Sequence, residues 1–328
     1  MALPFSNALF NRDDEFVFEP PDSDHRGPAL LRTDLWSAAK PDKTDGGGGG
    51  GGKPDSGGGG GGGGGKPDKG GGDTTPTDPG VLTEYTSGGD AATTYNVEII
   101  FSGTWTTALQ DAFIASADFI SGLILGDVTD VIGGGSRIDD ISIDASLIDI
   151  DGSGGVLGRA GPTAVRGGSY LPATAIMEFD VADAETYDGR GLWDDIILHE
   201  MLHSLGFGTM WSYMGLATGS VAGGDLRFTG DLANDFYRTE FTDIYNADGG
   251  RDAGIPIETD GGSGTAGGHW DELLFVGEIM TGYINGSNYL STMSVAALED
   301  MGYDTVLDDP RDGSDLSGPM PDDSYFFG

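Results

Sequence analysis

Apolar runs along the middle of the chain predict several β-strands. They span residues 96–101, 138–150 (as one or two strands) and 173–180, because each is short, apolar and bounded by polar or glycine-rich residues. Residues 107–125 carry apolar side chains three or four positions apart, which is the spacing of one helix face. Together these elements predict an α+β fold.

Two further segments have the pattern of a helix with a marked start. Residues 194–205 begin with Asp194 and Asp195, which offer a capping carboxylate and negative charge. Gly206 follows the last apolar position, where a helix commonly ends. Residues 294–301 are predicted to form the closing helix, with Ser294 as its N-cap.

The first 92 residues differ in composition from the rest of the chain. Two polyglycine runs, 46–52 and 57–65, alternate with Lys-Pro-Asp triplets, and such a segment lacks the apolar residues that a core needs. The expected organisation is a head (1–45) that is disordered or a short pro-segment or docking segment, a disordered linker (46–92), one folded domain (93–306) and an acidic tail (307–328).

Negative charge dominates the composition. The chain has 54 acidic against 16 basic residues and a formal net charge of −38, which argues against nucleic acid or an anionic membrane as a partner. It has no cysteine, so packing or bound ions must hold its loops. Asp149 and Asp151 are candidate ligands of a structural calcium ion, and the alternative is a solvated acidic loop.

The run His199-Glu200-Met201-Leu202-His203 carries the strongest chemical signal. On a helix its two histidines lie one turn apart on the same face, where both can bind a zinc ion. Glu200 then lies where a carboxylate can take the proton of a zinc-activated water. The chain has only four histidines, so this pattern rarely arises by chance; the alternative is a core helix with two satisfied histidines. The motif predicts a zinc peptidase.

A catalytic zinc ion usually has three protein ligands and an open fourth position. The remaining histidines are His25, in the low-complexity head, and His269, so His269 is the simplest third ligand. Met280 follows eleven residues later in a predicted turn, where it is either ordinary core packing or part of the site.

In this order, the motif, Gly206, the distant histidine and the methionine resemble the metzincin clan of zinc peptidases. The 62 residues between Gly206 and His269 resemble the insertion of the leishmanolysin-like peptidases. The resemblance covers roughly residues 93–306 and includes five further blocks: 139–143, 156–162, 176–180, 269–270 and 298–303.

The resemblance implies a role for each of these side chains. His199, His203 and His269 would be the zinc ligands, and Glu200 the general base and then the proton donor. Met280 would form an apolar floor beneath the metal, and Gly206 a structural turn.

The resemblance also implies a fold and a reaction. The fold is a twisted mixed sheet with a zinc-binding helix, followed by a mainly irregular or helical C-terminal lobe. The reaction is hydrolysis of peptide bonds in protein or peptide substrates. In such folds an extended substrate pairs with the strand nearest the cleft, and we expect residues 173–180 to lie near that edge.

The ends of the sequence bear on localisation. The first 15 residues lack the basic start and apolar run of a secretory signal. The acidic and then apolar ending at 322–328 resembles substrates of bacterial type I secretion, although the glycine-aspartate repeats that usually accompany it are missing. We expect an extracellular bacterial protein, with the type I secretion apparatus as a partner or with association at the cell surface.

Two other functions stay open. One is a non-catalytic surface or adhesion module that keeps zinc to stabilise its fold, with the glycine-rich segment as a tether. The other is a narrow self-processing activity on the N-terminal head. The presence of Glu200 favours an enzyme.

Overall fold

The computed structural model describes residues 34–35 and 80–307, apart from 90, 92, 134, 154–155, 250–252 and 263. Most of the predicted head and linker and the whole acidic tail beyond residue 307 lie outside these residues, as do His25 and the candidate secretion signal at 322–328. Predictions about those segments therefore stay predictions.

The described residues form a mixed α+β structure of eleven short or medium strands and seven helices. The strands are β1 (Asp34–Leu35), β2 (Glu84–Thr86), β3 (Val97–Gly103), β4 (Val131–Gly133), β5 (Ser136–Ile138), β6 (Ile141–Ile148), β7 (Gly158–Val165), β8 (Pro172–Asp180), β9 (Ala217–Thr218), β10 (Arg227–Phe228) and β11 (Ile255–Pro256). The helices are α1 (Thr107–Leu123), α2 (Val181–Asp188), α3 (Trp193–Ser204), α4 (Trp211–Met214), α5 (Asp231–Glu240), α6 (Thr242–Ala247) and α7 (Thr292–Met301).

Six of the strands form one mixed sheet in the order β1-β7-β8-β6-β3-β2. Strands β3, β6 and β8 run parallel to one another, whereas β7 pairs antiparallel with β8 and β2 antiparallel with β3. The predicted strands at 96–101, 138–150 and 173–180 correspond to β3, to β5 with β6, and to β8. The prediction of a mixed sheet in an α+β fold is therefore confirmed.

Residues 173–180, expected near the edge of the sheet, are not themselves the edge strand. This strand, β8, lies between β6 and β7, and none of its side chains is fully exposed. The outer position belongs to β7, whose only further neighbour among the described residues is the two-residue strand β1, paired through Asp34 with Arg159 and through Leu35 with Gly158. Most of β7 beyond Arg159 therefore forms the edge of the described sheet.

Helices α1 and α3 cover one side of this sheet. Helix α3 contacts α1 and strands β7 and β8, and aromatic side chains fill the space between these elements. Phe113 of α1 lies edge-to-face against Phe179 of β8, and Phe179 in turn against Trp193 at the start of α3. The indole N–H of Trp193 also donates to the carbonyl oxygen of Leu109 at 3.1 Å. These contacts fix the start of α3 relative to the sheet.

A buried carboxylate holds the end of β8. One oxygen of Asp180 accepts from the backbone N–H of Ala182 at 2.8 Å and caps α2. The other accepts from the backbone N–H groups of Ile150, Asp151 and Gly152 at 2.8 to 3.0 Å. Burial by itself would raise the pKa of Asp180, but these donors together hold that pKa below its ordinary value.

Helices α5 and α7 cap each other. Glu240, at the end of α5, accepts from the first two backbone N–H groups of α7, those of Thr292 and Met293. Asp300, near the end of α7, accepts from the N–H groups of Leu232 and Ala233 in the first turn of α5. Each helix therefore supplies the acceptors that the start of the other requires.

Some element boundaries differ from the predictions. Helix α7 starts at Thr292 and its N-cap is Ser291, whose hydroxyl accepts from the N–H of Ser294 at 3.1 Å, so Ser294 is not the cap. Strand β2 lies within the segment predicted as linker, and Tyr85 in it donates to Asp118 of α1 at 2.7 Å. None of the helices in the described part of the chain is long and apolar enough to cross a bilayer.

Candidate metal centre

Helix α3 carries the first two predicted ligands in its second half. His199 and His203 are almost completely buried, as is Glu200 between them. Leu192 occupies the N-cap position of the helix without a side-chain cap, so the predicted cap at Asp194 is wrong. Asp194 and Asp195 instead place negative charge in the first turn, where it interacts favourably with the helix dipole.

The turn after α3 brings the third histidine to the first two. Gly206 has a φ of 95° and Gly208 a φ of 72°, values that favour glycine. At Gly208 a Cβ atom would collide with the carbonyl group of Gly268, so the backbone can approach residue 268 this closely only without a side chain. His269 is the next residue, and it is fully buried.

Each of the three imidazoles is oriented by a backbone carbonyl group. The Nδ1 atom of His199 lies 2.5 Å from the carbonyl oxygen of Ile279. His203 Nδ1 lies 2.9 Å from that of Phe207, and His269 Nδ1 lies 2.8 Å from that of Thr265. A carbonyl oxygen only accepts, so Nδ1 carries the proton in each ring. In a neutral ring the Nε2 atom then presents a lone pair.

The three Nε2 atoms converge on one point. Those of His199 and His203 are 3.0 Å apart, those of His203 and His269 are 3.0 Å apart, and those of His269 and His199 are 3.3 Å apart. Three lone pairs this close repel one another unless a cation lies among them. Two ligands at zinc–nitrogen distances of about 2.0–2.1 Å in a tetrahedral site lie about 3.3 Å apart. The donor set therefore fits a zinc ion.

All three rings are neutral near pH 7. Burial, together with the neighbouring His269, lowers the pKa of His199 to about 3. Burial lowers the pKa of His269 to about 4, and it lowers that of His203 well below its ordinary value, helped by the other two rings. Metal binding requires neutral imidazoles, and this cluster provides them without a proton having to leave.

Glu200 is a buried carboxyl group directly after the first histidine of the motif. Its carboxylate is buried, and its Oε2 atom has no hydrogen-bond partner among the residues that the structure describes. Burial raises the pKa of Glu200 well above its ordinary value, as burial does for catalytic carboxyl groups that hold a proton near neutral pH.

Residues 278–281, here called the Met-turn segment, lie against the site through their backbone. The carbonyl oxygen of Ile279 orients His199, and the carbonyl oxygen of Met280 accepts from the N–H of Trp270, the neighbour of His269, at 3.0 Å. Met280 itself is fully buried. The Met-turn segment therefore contacts both His199 and the residue next to His269.

The predicted calcium ligands are not brought together. Among the described residues, Asp149 and Asp151 belong to no group of three or more metal-ligating side chains. The carboxylate of Asp151 accepts instead from the N–H of Val156. The acidic side chains that do lie close together are Asp127, Asp139 and Asp140, and structural calcium stays a prediction.

Sequence reasoning missed the groups that hold the ligands in place. The carbonyl groups of Phe207, Thr265 and Ile279 leave no mark in the sequence, because every residue carries one. Glu278, two positions before Met280, is buried with its carboxylate fully hydrogen-bonded, yet no role was assigned to it. An acidic residue inside an otherwise apolar turn was the available signal.

Comparison with known families identifies the same region. The sequence model of the leishmanolysin family, peptidase M8, matches residues 164–307, which include the three histidines and Glu200. A search of curated proteins finds no match to the chain. The family uses zinc and hydrolyses peptide bonds, and its match agrees with a histidine cluster that fits a metal ion. This match supports the resemblance inferred from the motif: residues 164–307 are similar to the leishmanolysin family of metallopeptidases.

Proposed function

We propose that this chain is a zinc-dependent endopeptidase that uses His199, His203 and His269 to hold the metal and Glu200 to move the proton. The observation that carries the proposal is the convergence of three buried Nε2 atoms, 3.0 to 3.3 Å apart, each in a ring that a backbone carbonyl orients through Nδ1. Such a set presents lone pairs to a cation and leaves a fourth position for water or substrate.

Zinc, when bound, supplies a Lewis acid that polarises the scissile carbonyl group and acidifies water. Glu200 accepts the proton of the attacking water at its carboxylate. Glu200 then donates this proton to the departing nitrogen, so one group acts first as base and then as acid. The raised pKa of Glu200 makes its carboxylate a stronger base towards the proton of water, and the protonated group can then pass that proton to the departing nitrogen.

Hydrolysis of casein tests this function. The purified chain is assayed with zinc, after chelation, and after zinc is restored, with the zinc content of each sample measured. We expect chelation to abolish hydrolysis and zinc to restore it. We expect Glu200→Ala to lose at least about 100-fold in kcat/KM, since general acid–base catalysis contributes about 10²–10⁴, while zinc stays bound. The control is Glu185→Ala, an exposed position on α2, with unchanged activity.

The other functions predict different outcomes of this assay. A folded, zinc-loaded chain that hydrolyses nothing supports the non-catalytic module. Self-processing predicts loss of a discrete fragment from residues 1–90, seen by intact mass, without hydrolysis of casein. Full activity of Glu200→Ala at unchanged zinc content contradicts the role of Glu200.

A further inference from the structure

A buried carboxylate that the proposed reaction does not use lies beside the metal centre. Glu278 is fully buried, and its carboxylate accepts four hydrogen bonds. Its Oε2 accepts from the backbone N–H of Met280 at 2.5 Å. Its Oε1 accepts from the N–H of Ser291 at 3.1 Å, from the hydroxyl of Ser291 at 2.8 Å and from the hydroxyl of Ser294 at 2.5 Å. A buried acidic side chain requires such compensation.

The first oxygen holds the Met-turn segment. By accepting from Met280, Glu278 closes a tight turn around Ile279, whose carbonyl oxygen orients the ring of His199. The next carbonyl group, that of Met280, accepts from the N–H of Trp270. The backbone that this carboxylate fixes therefore touches one ligand directly and the immediate neighbour of another.

The second oxygen holds the same segment to the start of α7. Ser291 is the N-cap of that helix, and Ser294 lies in its first turn. The hydroxyl of Ser294 donates to Glu278 and accepts from the indole N–H of Trp270 at 2.8 Å. The carboxylate of Glu278 thus joins the Met-turn segment to α7 directly, and to Trp270, the residue after His269, through the hydroxyl of Ser294.

We propose that Glu278 is a positioning residue that sets the geometry of the metal ligands by anchoring the Met-turn segment to α7. This inference rests on the proposed function, because it assigns Glu278 a part in zinc binding. Glu278 acts through the carbonyl groups of Ile279 and Met280 and does not itself touch the metal or the substrate. Partners of this kind, which orient ligands from behind, commonly change metal affinity by about 10–100-fold when removed.

Glutamine is an informative replacement at this position. It keeps the size of the side chain, but an amide NH₂ group takes the place of one carboxylate oxygen. That NH₂ group donates hydrogen bonds, so it cannot accept from a backbone N–H as the oxygen did. Either the backbone N–H of Met280 or that of Ser291 must then lose its acceptor. Burial raises the pKa of Glu278 to about 7, while its hydrogen-bond donors lower it, so the comparison is made at pH 8, where the carboxylate is ionised.

Glu240 offers a matched control. It is a glutamate on the protein surface that accepts from the start of α7, through the N–H groups of Thr292 and Met293, and among the described residues it makes no hydrogen bond to the Met-turn segment. Glu240→Gln removes one charge and weakens the same helix end. If Glu278 served only to hold the start of α7, Glu278→Gln would leave the zinc affinity of the folded chain unchanged, as Glu240→Gln does.

The test is zinc affinity at pH 8, measured by competition with a chelator of known affinity, together with the visible absorption spectrum of the Co²⁺-loaded chain. We expect Glu278→Gln to bind zinc about 10-fold or more weakly and to change the Co²⁺ spectrum. We expect Glu240→Gln to stay within about threefold of the wild type with an unchanged spectrum. Ser294→Ala replaces Glu278→Gln as the test if Glu278→Gln does not unfold cooperatively. It removes one donor to Glu278 and the acceptor of the Trp270 indole N–H, and we expect it to weaken zinc binding about threefold to 10-fold.

Two results overturn the inference in distinguishable ways. If the wild type binds zinc tightly and folded Glu278→Gln binds it within threefold of the wild type, only the positioning role fails. If the wild type itself takes up no zinc at this centre, as judged by comparison with His203→Ala, the proposed function fails as well.

Discussion

Removing the carboxylate of Asp180 should destabilise the fold by an amount that can be worked out from its four hydrogen bonds. The bond to Ala182 is an N-cap, worth about 1 kcal/mol. The other three N–H groups, of Ile150, Asp151 and Gly152, lie in a loop that is half-buried to exposed. Water can partly replace their acceptor, so we take about 0.5–1 kcal/mol for each instead of the larger values of fully buried charged bonds.

These contributions predict that Asp180→Ala lowers the free energy of unfolding by about 2.5–4 kcal/mol. Asp180→Asn should have a smaller effect, about 1.5–3 kcal/mol. Asparagine keeps the cap through its oxygen but turns an amide N–H₂ group towards three N–H donors. A loss of 3 kcal/mol corresponds to a fall in Tm of about 6–12 °C for a domain of this size. Asp149→Asn, an exposed charge in the same loop, is the control and should change little.

The measurement is denaturant and thermal unfolding followed by tryptophan fluorescence, at several pH values. Asp180 has a folded pKa below its ordinary value, so its contribution is complete above the unfolded pKa of about 4 and is lost as the pH falls through the folded pKa. The difference between wild type and Asp180→Asn should therefore shrink under acid conditions. A variant within about 0.5 kcal/mol of the wild type at pH 7, or a difference that grows as the pH falls, would refute this reasoning.

Two further predictions concern the metal centre. Gly208→Ala should weaken zinc binding about 10-fold or more and lower Tm, because its Cβ collides with Gly268 beside His269. The control is Gly215→Ala, which has a similar φ of 75° and open space around it; it should lose only about 1–2 kcal/mol of stability to backbone strain and keep its zinc affinity. Equal zinc affinities of the two variants would contradict the argument. Zinc at about 1,000 times its Kd should stabilise the chain by about 4 kcal/mol, so chelation should lower Tm by about 8–16 °C. His203→Ala should abolish this difference in Tm. A fall in Tm on chelation that persists in His203→Ala would mean that the metal binds elsewhere.

The grouping of the three histidines could be predicted from the sequence because the signals for it are local or scarce. His199 and His203 share one helical face, and His269 was the simplest remaining choice among four histidines. The pattern of strands was also readable, since apolar runs are a property of the segment itself.

The order of the strands could not be predicted in the same way, because it depends on which distant segments pair. Residues 173–180 are expected near the edge from the resemblance, and β8 lies one strand inside it, between β6 and β7. A local signal existed: Pro162 lies within β7, and proline lacks the N–H that an inner strand must donate. The pairing also shifts register between Pro162 and Ala164.

The mutual capping of α5 and α7 has a consequence for local unfolding. Helix α5 belongs to the long insertion between Gly206 and His269, which from the sequence alone could fold independently of the C-terminal helix. Because Glu240 and Asp300 each satisfy the start of the other helix, fraying of either helix leaves the other with unpaired N–H groups. The two helices should therefore open as one cooperative unit and exchange their amide hydrogens together, so that the insertion shares the stability of the C-terminal helix.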